Sequence, residues 1–325
     1  MSETDQRPII GRKEQIGFIG LLLSAFSAPF TMAFLIGAIA DEFTNATRGE
    51  IGTIATLELF SISVLSIIVS RNIHRINMKI VFVVGVLVVA LGHLITIYSP
   101  NLEIVYIARI IAGIGSGIIV ATIMANVAKA QNAQMTFALI NSGVGAAGVL
   151  LSLVIPRVIS YYGMDGAYLI HFIFSLFGFM FLMLIPSRRN PDGKNKSVKI
   201  YKGKLGWIAM FGVAFAFFAH GGLLTFSERI GADLSISVVT MGNVFAFGGL
   251  LTIFGPLISG IIGGKYGSMK PSVLFLVLMI IGSFFVANAW SPLVFFIFVP
   301  IFGLLPIMWT PCLLYTSPSP RDSCA

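Results

Sequence analysis

The stretch "YIARIIAGIGSG", residues 106–117, sets one arginine, Arg109, in an apolar run, with Gly113, Gly115 and Gly117 close behind it. Whether that guanidinium lies in water or in lipid decides the fold. Composition answers first: of 325 residues, 57% are hydrophobic and 10% charged, and the mean hydropathy is +0.95. A soluble chain of this size covers its surface with about 25% charged residues. The chain therefore reads as an all-α integral membrane protein with the lipid bilayer as its solvent. The formal net charge of +8 fits lysine and arginine gathered in cytoplasmic loops and not nucleic acid as a partner. Both cysteines, Cys312 and Cys324, lie at the extreme C-terminus, so neither a disulfide framework nor a metal cluster is implied. No cofactor is expected.

Working outward, a span needs about 20 mostly apolar residues. Ten segments qualify: 16–40, 51–70, 79–98, 102–124, 133–155, 166–186, 205–226, 236–262, 271–290 and 292–311. The first is too long for the apolar core of a cleaved signal peptide, about 7 to 15 residues. It is expected to stay in the protein as a span. With the N-terminus placed inside, sixteen lysines and arginines fall on the cytoplasmic side, and only Arg48, Arg157 and Arg229 face outward. That is a strong positive-inside bias.

The longest loop, "PSRRNPDGKNKSVKIYKGKLG" (186–206), is basic and rich in turn residues. It divides an N-terminal six-helix bundle (1–186) from a partial C-terminal bundle of four helices (205–311), with 187–204 as a cytoplasmic linker. A shift of 190 residues brings Gly92 onto Gly282, Gly113 onto Gly303, and the loop "HRINMK" (74–79) onto "GKYGSM" (264–269). Duplicated halves are a common plan among secondary transporters, which hold substrate near the midplane.

These residues resemble the major facilitator superfamily. Its cytoplasmic loop after the second helix of each half usually reads G-x-x-x-D-[RK]-x-G-[RK]-[RK]. "GIIGGKYGSMK" (260–270) keeps Gly260, Lys265, Gly267 and Lys270, whereas "SRNIHRINMK" (70–79) keeps Arg75 and Lys79 but has His74 for the acid and Asn77 for the glycine. "ARIIAGIGSG" resembles the fourth-helix signature R-x-x-x-G-x-G-x-G through Arg109, Gly113, Gly115 and Gly117. The resemblance implies a two-bundle fold of twelve helices, of which ten are present. It also implies a monomeric, proton-coupled transporter of a small-molecule substrate in a bacterial inner membrane, with Arg75, Lys79, Gly260, Lys265, Gly267 and Lys270 in gating loops. The ending "CLLYTSPSPRDSCA" (312–325) holds Pro318 and Pro320 and no span. It reads as a non-native tail, with helices 11 and 12 missing.

A charge at the centre of a spanning helix costs roughly 2.5 to 3.5 kcal/mol and survives only with a partner or a water-filled cavity. Glu58, in "ATLELFSIS", is the acid that lies well inside a span. It and Arg109 each sit seven residues from the outer end of their spans. Equal depth, about 10 Å below the boundary, makes a pair geometrically possible. One reading has Arg109 bonded to a backbone carbonyl or polar group with Glu58 simply protonated. In the other, Glu58 exchanges a proton while Arg109 tunes it or attracts an anion. At the same shift the counterparts are Gly248 and Val299, an asymmetry that favours function over mere scaffolding.

His220 in "FFAHGG" is a candidate proton relay or substrate ligand, or else a histidine bonded to helix backbone. Asn141 and Asn243 either face a cavity or form interhelical bonds. His93 and His171 fall on helices that the resemblance puts at the periphery, where structural roles are expected. Phe26, Phe30, Phe217 and Phe218 are candidates to line an apolar cavity. An enzyme would need a motif such as H-E-x-x-H or a nucleophile with a paired base, and a channel a re-entrant filter segment. Neither pattern is present in the sequence.

Overall fold

A computed structural model describes residues 10–72, 77–128, 130, 133–187, 204–266 and 269–314, without the side chains of 133–134, 138, 204–210, 213, 255–266, 269–272 and 304–314. Arg75 and Gly267 lie outside the described residues, as does the tail from 315 onward. Ten α-helices are present among the described residues: α1 (Arg12–Phe30), α2 (Met32–Glu42), α3 (Arg48–Asn72), α4 (Met78–Ile97), α5 (Leu102–Val127), α6 (Ala133–Phe181), α7 (Lys204–Asp233), α8 (Val238–Tyr266), α9 (Met269–Ala287) and α10 (Pro292–Leu314). The chain divides into two compact units, Met1–Lys196 and Ser197–Ala325.

In the first unit α3, α4, α5 and the stretch Met135–Leu184 are long and apolar enough to cross a membrane. The first span is built of α1 and α2, which together are apolar enough to cross and are bent by 47° at Thr31. Pro29 is the cause: a proline inside a helix has no N–H to give the carbonyl four residues back, and its ring crowds that carbonyl. The carbonyl in question belongs to Ala25, and Ser116 Oγ of α5 donates to it at 2.7 Å. Thr31 Oγ1 lies 3.1 Å from Ser27 O and 3.3 Å from Ala28 O. The break is thus stitched by hydroxyls.

At 49 residues, α6 as a straight rod would run about 74 Å, more than twice the hydrocarbon thickness. It is two spans meeting at Gly163, whose φ of 60° and ψ of −151° suit a residue without Cβ. Both halves reach α1: Gly143 closes on Ile19, and Gly178 on Ser24 and on Val86 of α4. Phe18, Leu21 and Leu22 of α1 pack with Phe82, Val86 and Val89 of α4 and with Ile119 and Ile123 of α5 in the unit's core.

The glycines behind Arg109 are contact surfaces. A Cβ on Gly113 would stand 2.5 Å from Glu58 O, and one on Gly117 2.6 Å from Ile62 O, both on α3. On Gly115 it would meet Val89 N of α4 at 2.6 Å. The alternation presses α5 against α3 on one side and α4 on the other, as small residues do where lipid supplies no hydrophobic drive.

In the second unit α8 packs on α10, where Gly248 closes on Pro300 with room for a Cβ only 3.0 Å from its Cα. Phe285 and Phe298 stack at 4.2 Å between α9 and α10. Gly260 and Lys265 fall in the last turns of α8, and Lys270 in the first turn of α9. Asn77, which stands where the loop motif has glycine, N-caps α4: its Oδ1 accepts from the backbone N of Lys79 at 2.9 Å.

Candidate functional site

Arg109 is completely buried and Glu58 is 1% exposed. Arg109 Nη1 lies 3.5 Å from Glu58 Oε2, so α3 and α5 bring the pair together at the depth they share. The distance is that of an ion pair rather than a tight hydrogen bond, and neither Glu58 oxygen has a hydrogen-bond partner.

The rest of the guanidinium is held by α4 and α6. Nη2 donates to Thr96 Oγ1 at 2.6 Å and to Gly92 O at 3.0 Å. His93 Nδ1 accepts at 3.3 Å from both terminal nitrogens. A neutral imidazole that accepts at Nδ1 carries its hydrogen on Nε2. Arg109 Cζ lies over the Tyr168 ring, 4.6 Å from its centroid, a cation–π contact that strengthens when desolvated. Arg109 is therefore both ion-paired and clasped by backbone.

His93 and His171, for which structural roles are expected, both lie beside the pair. His93 is 1% exposed and touches Arg109; His171 is fully buried, with its ring 5.7 Å from His93 and 6.3 Å from Tyr168. His171 Nε2 and Thr31 Oγ1 are 3.0 Å apart, which joins the cluster to the break between α1 and α2. Tyr168 was missed. The available signal was spacing: His93 and Thr96, and Tyr168, His171 and Ser175, recur at helical intervals inside apolar runs.

Asn141 Nδ2 donates to Phe137 O of its own helix at 2.8 Å, and Asn243 is exposed on α8. His220, 9% exposed, packs its ring 4.4 Å from Phe302 within the second unit, and its Nδ1 has no hydrogen-bond partner. Phe30, Phe217 and Phe218 are exposed, and Phe26 lies 5.7 Å from Phe30. Because α7 runs on to Asp233, Glu228 joins Glu58 and Glu14 among the buried acids of the described residues, and it pairs with Arg229 at 2.7 Å. Sequence reading had ended that span at 226.

No group of three or more potential metal ligands occurs among the described residues. The site is a buried acid opposite a fixed cation, and what it can do chemically is hold or release a proton.

Helices long and apolar enough to cross a membrane, with an ionisable pair buried among them, are the architecture of an integral membrane protein, and its similarity to known proteins gives its class. The sequence signature of the Major Facilitator Superfamily matches residues 17–320. No curated protein matches the chain in sequence. Among solved structures it is similar to a D-xylose-proton symporter, with a TM-score of 0.66 and 13% identity over 92% of this chain and 80% of that one. It is also similar to a POT family transporter in complex with a thioalcohol-conjugated peptide, with a TM-score of 0.66 and 14% identity over 96% and 85%. The chain belongs to the Major Facilitator Superfamily and is a secondary transporter.

Proposed function

We propose that the chain couples proton movement to the transport of a small solute by alternating access, with Glu58 as the proton-bearing group and Arg109 as its tuning charge. The observation that carries this reading is Glu58 itself: a buried carboxyl without a hydrogen-bond partner, 3.5 Å from a guanidinium. Burial favours the protonated acid and a neighbouring cation favours the carboxylate. Small displacements between the two then change proton occupancy. The second unit carries Gly248 and Val299 at the corresponding positions, where α8 and α10 pack without charges.

The alternative, an anion-uptake site built on Arg109, has less support. Both terminal nitrogens already have partners, one face is covered by Tyr168, and no part of the side chain is accessible. Proton-driven export of amphipathic or cationic compounds fits a buried acid whose neighbouring cation is inaccessible. We place the N-terminus and the central loop on the cytoplasmic side, because sixteen basic residues then lie inside against three outside.

The test is substrate-evoked proton flux in proteoliposomes, measured against a panel of organic cations and carboxylates. Flux evoked by cations and absent in Glu58→Gln supports the proposal. Undiminished flux in that variant overturns it.

A further inference from the structure

We propose that Tyr168 and His171, one helical turn apart on α6, are positioning residues that tie the Thr31 break in the first span to the Glu58–Arg109 pair, so that the bend and the proton occupancy of Glu58 change together. This rests on the reading of Glu58 as the proton-bearing group.

Three observations connect the two places. Thr31 is the residue between α1 and α2, with φ −107° and ψ 15°, outside either helix. Its hydroxyl meets His171 Nε2 at 3.0 Å, and Tyr168, three residues before His171, covers the guanidinium at 4.6 Å. A helix of this length moves as a unit over one turn, about 4.5 Å of rise between the two side chains. Displacing His171 therefore displaces Tyr168.

The Thr31 hydroxyl has one hydrogen and three acceptors in reach: Ser27 O at 3.1 Å, Ala28 O at 3.3 Å and His171 Nε2 at 3.0 Å. When the hydrogen goes to a carbonyl, His171 donates from Nε2. When it goes to His171, the carbonyls around the break lose it. The two arrangements share one set of heavy-atom positions and differ in how firmly the bend is stitched.

Arg109, in turn, is held by Gly92 and Thr96 and has the Tyr168 ring over its cation. A shift of that ring is transmitted to the distance from Glu58. The ionisable groups in contact are Glu58 from α3, His93 from α4, Arg109 from α5, and Tyr168 and His171 from α6. The break contributes Thr31 and backbone carbonyls.

The experiment is a pH titration of the Glu58 carboxyl band by infrared difference spectroscopy on the purified full chain in lipid, the band being the one lost in Glu58→Gln. Thr31→Val is isosteric, lacks the hydroxyl and touches neither member of the pair. It is expected to move the titration midpoint by about threefold in proton concentration, as is Tyr168→Leu, with the double variant shifted less than the sum. Thr31→Ser, which keeps the hydroxyl, is expected to match the native midpoint. An unshifted midpoint in Thr31→Val overturns the inference, and it decides the matter alone if Tyr168→Leu does not accumulate. A different result, no carboxyl band lost in Glu58→Gln, removes the reading of Glu58 instead.

Discussion

Ser116 on α5 donates its hydroxyl hydrogen to the Ala25 carbonyl at 2.7 Å, the carbonyl that Pro29 leaves without its helical donor. A serine that sits among the glycines of the fourth span thus completes the backbone of the first. Without it a buried carbonyl at a bend would face apolar side chains, where a missing partner is costly.

Replacing Ser116 with Ala is expected to lower stability by about 1 kcal/mol, the usual scale for one interhelical hydrogen bond in a membrane. Thermal unfolding followed by size-exclusion in detergent measures it. An unchanged Tm would mean that the Ala25 carbonyl finds another donor.

Gly113→Ala and Gly117→Ala each place a methyl 2.5 to 2.6 Å from an α3 carbonyl oxygen. Each is expected to destabilise by about 1 to 3 kcal/mol through overpacking. Gly113→Ala is expected to impair transport further, because the oxygen it strikes belongs to Glu58. Gly148→Ala has nothing within 4 Å and serves as the neutral control.

Glu58→Gln is expected to fold and to lose proton coupling, since the amide keeps the acid's shape but cannot release a proton. Arg109→Ala is expected to be worse, at about 3 to 5 kcal/mol for stranding one member of a buried pair. The double variant is expected to cost less than the sum of the singles. Strict additivity in a cycle corrected for expression would separate the residues and leave Arg109 as a backbone clasp for Gly92.

The start of α3 makes a pH-dependent prediction outside the membrane. Thr47 N and Oγ1 both donate to Glu50 Oε2 at 2.8 Å, and Glu50 N donates back to Thr47 Oγ1 at 3.3 Å, a capping box. The backbone bond from Thr47, and then its hydroxyl, hold the Glu50 carboxyl below its ordinary value. A depressed carboxyl pKa contributes stability above the unfolded value and loses it as pH falls through the folded one. Thr47→Ala keeps the backbone donor and loses the hydroxyl, so it is expected to raise the Glu50 titration midpoint part of the way toward that of a free glutamate in an NMR titration, and to reduce the acid sensitivity of this helix end.

Cysteines introduced at Lys196 and Asn45 are expected to label from opposite sides of the membrane, Asn45 from outside. Labelling of both from outside in intact cells would reverse the orientation proposed here.

The sequence by itself determined the solvent and the class of architecture. With 10% charged residues the surface could only be satisfied by lipid, and the backbone then had to be helical. The spacing of apolar runs placed the helices, and the arginine followed by three alternating glycines pointed to the family. The same spacing set Glu58 and Arg109 at one depth.

What only the tertiary structure decided is which side chains share that depth from different helices. Periodicity reports a residue's face on its own helix and says nothing about the helix opposite. His93, Tyr168, His171 and Thr31 come from three segments that are far apart in sequence and meet because α1, α4 and α6 pack together. The bend at Thr31 was written locally in Pro29, but its tolerance was not. It depends on a hydroxyl from α5, and a hydrogen bond between residues 25 and 116 exists only once the helices are packed.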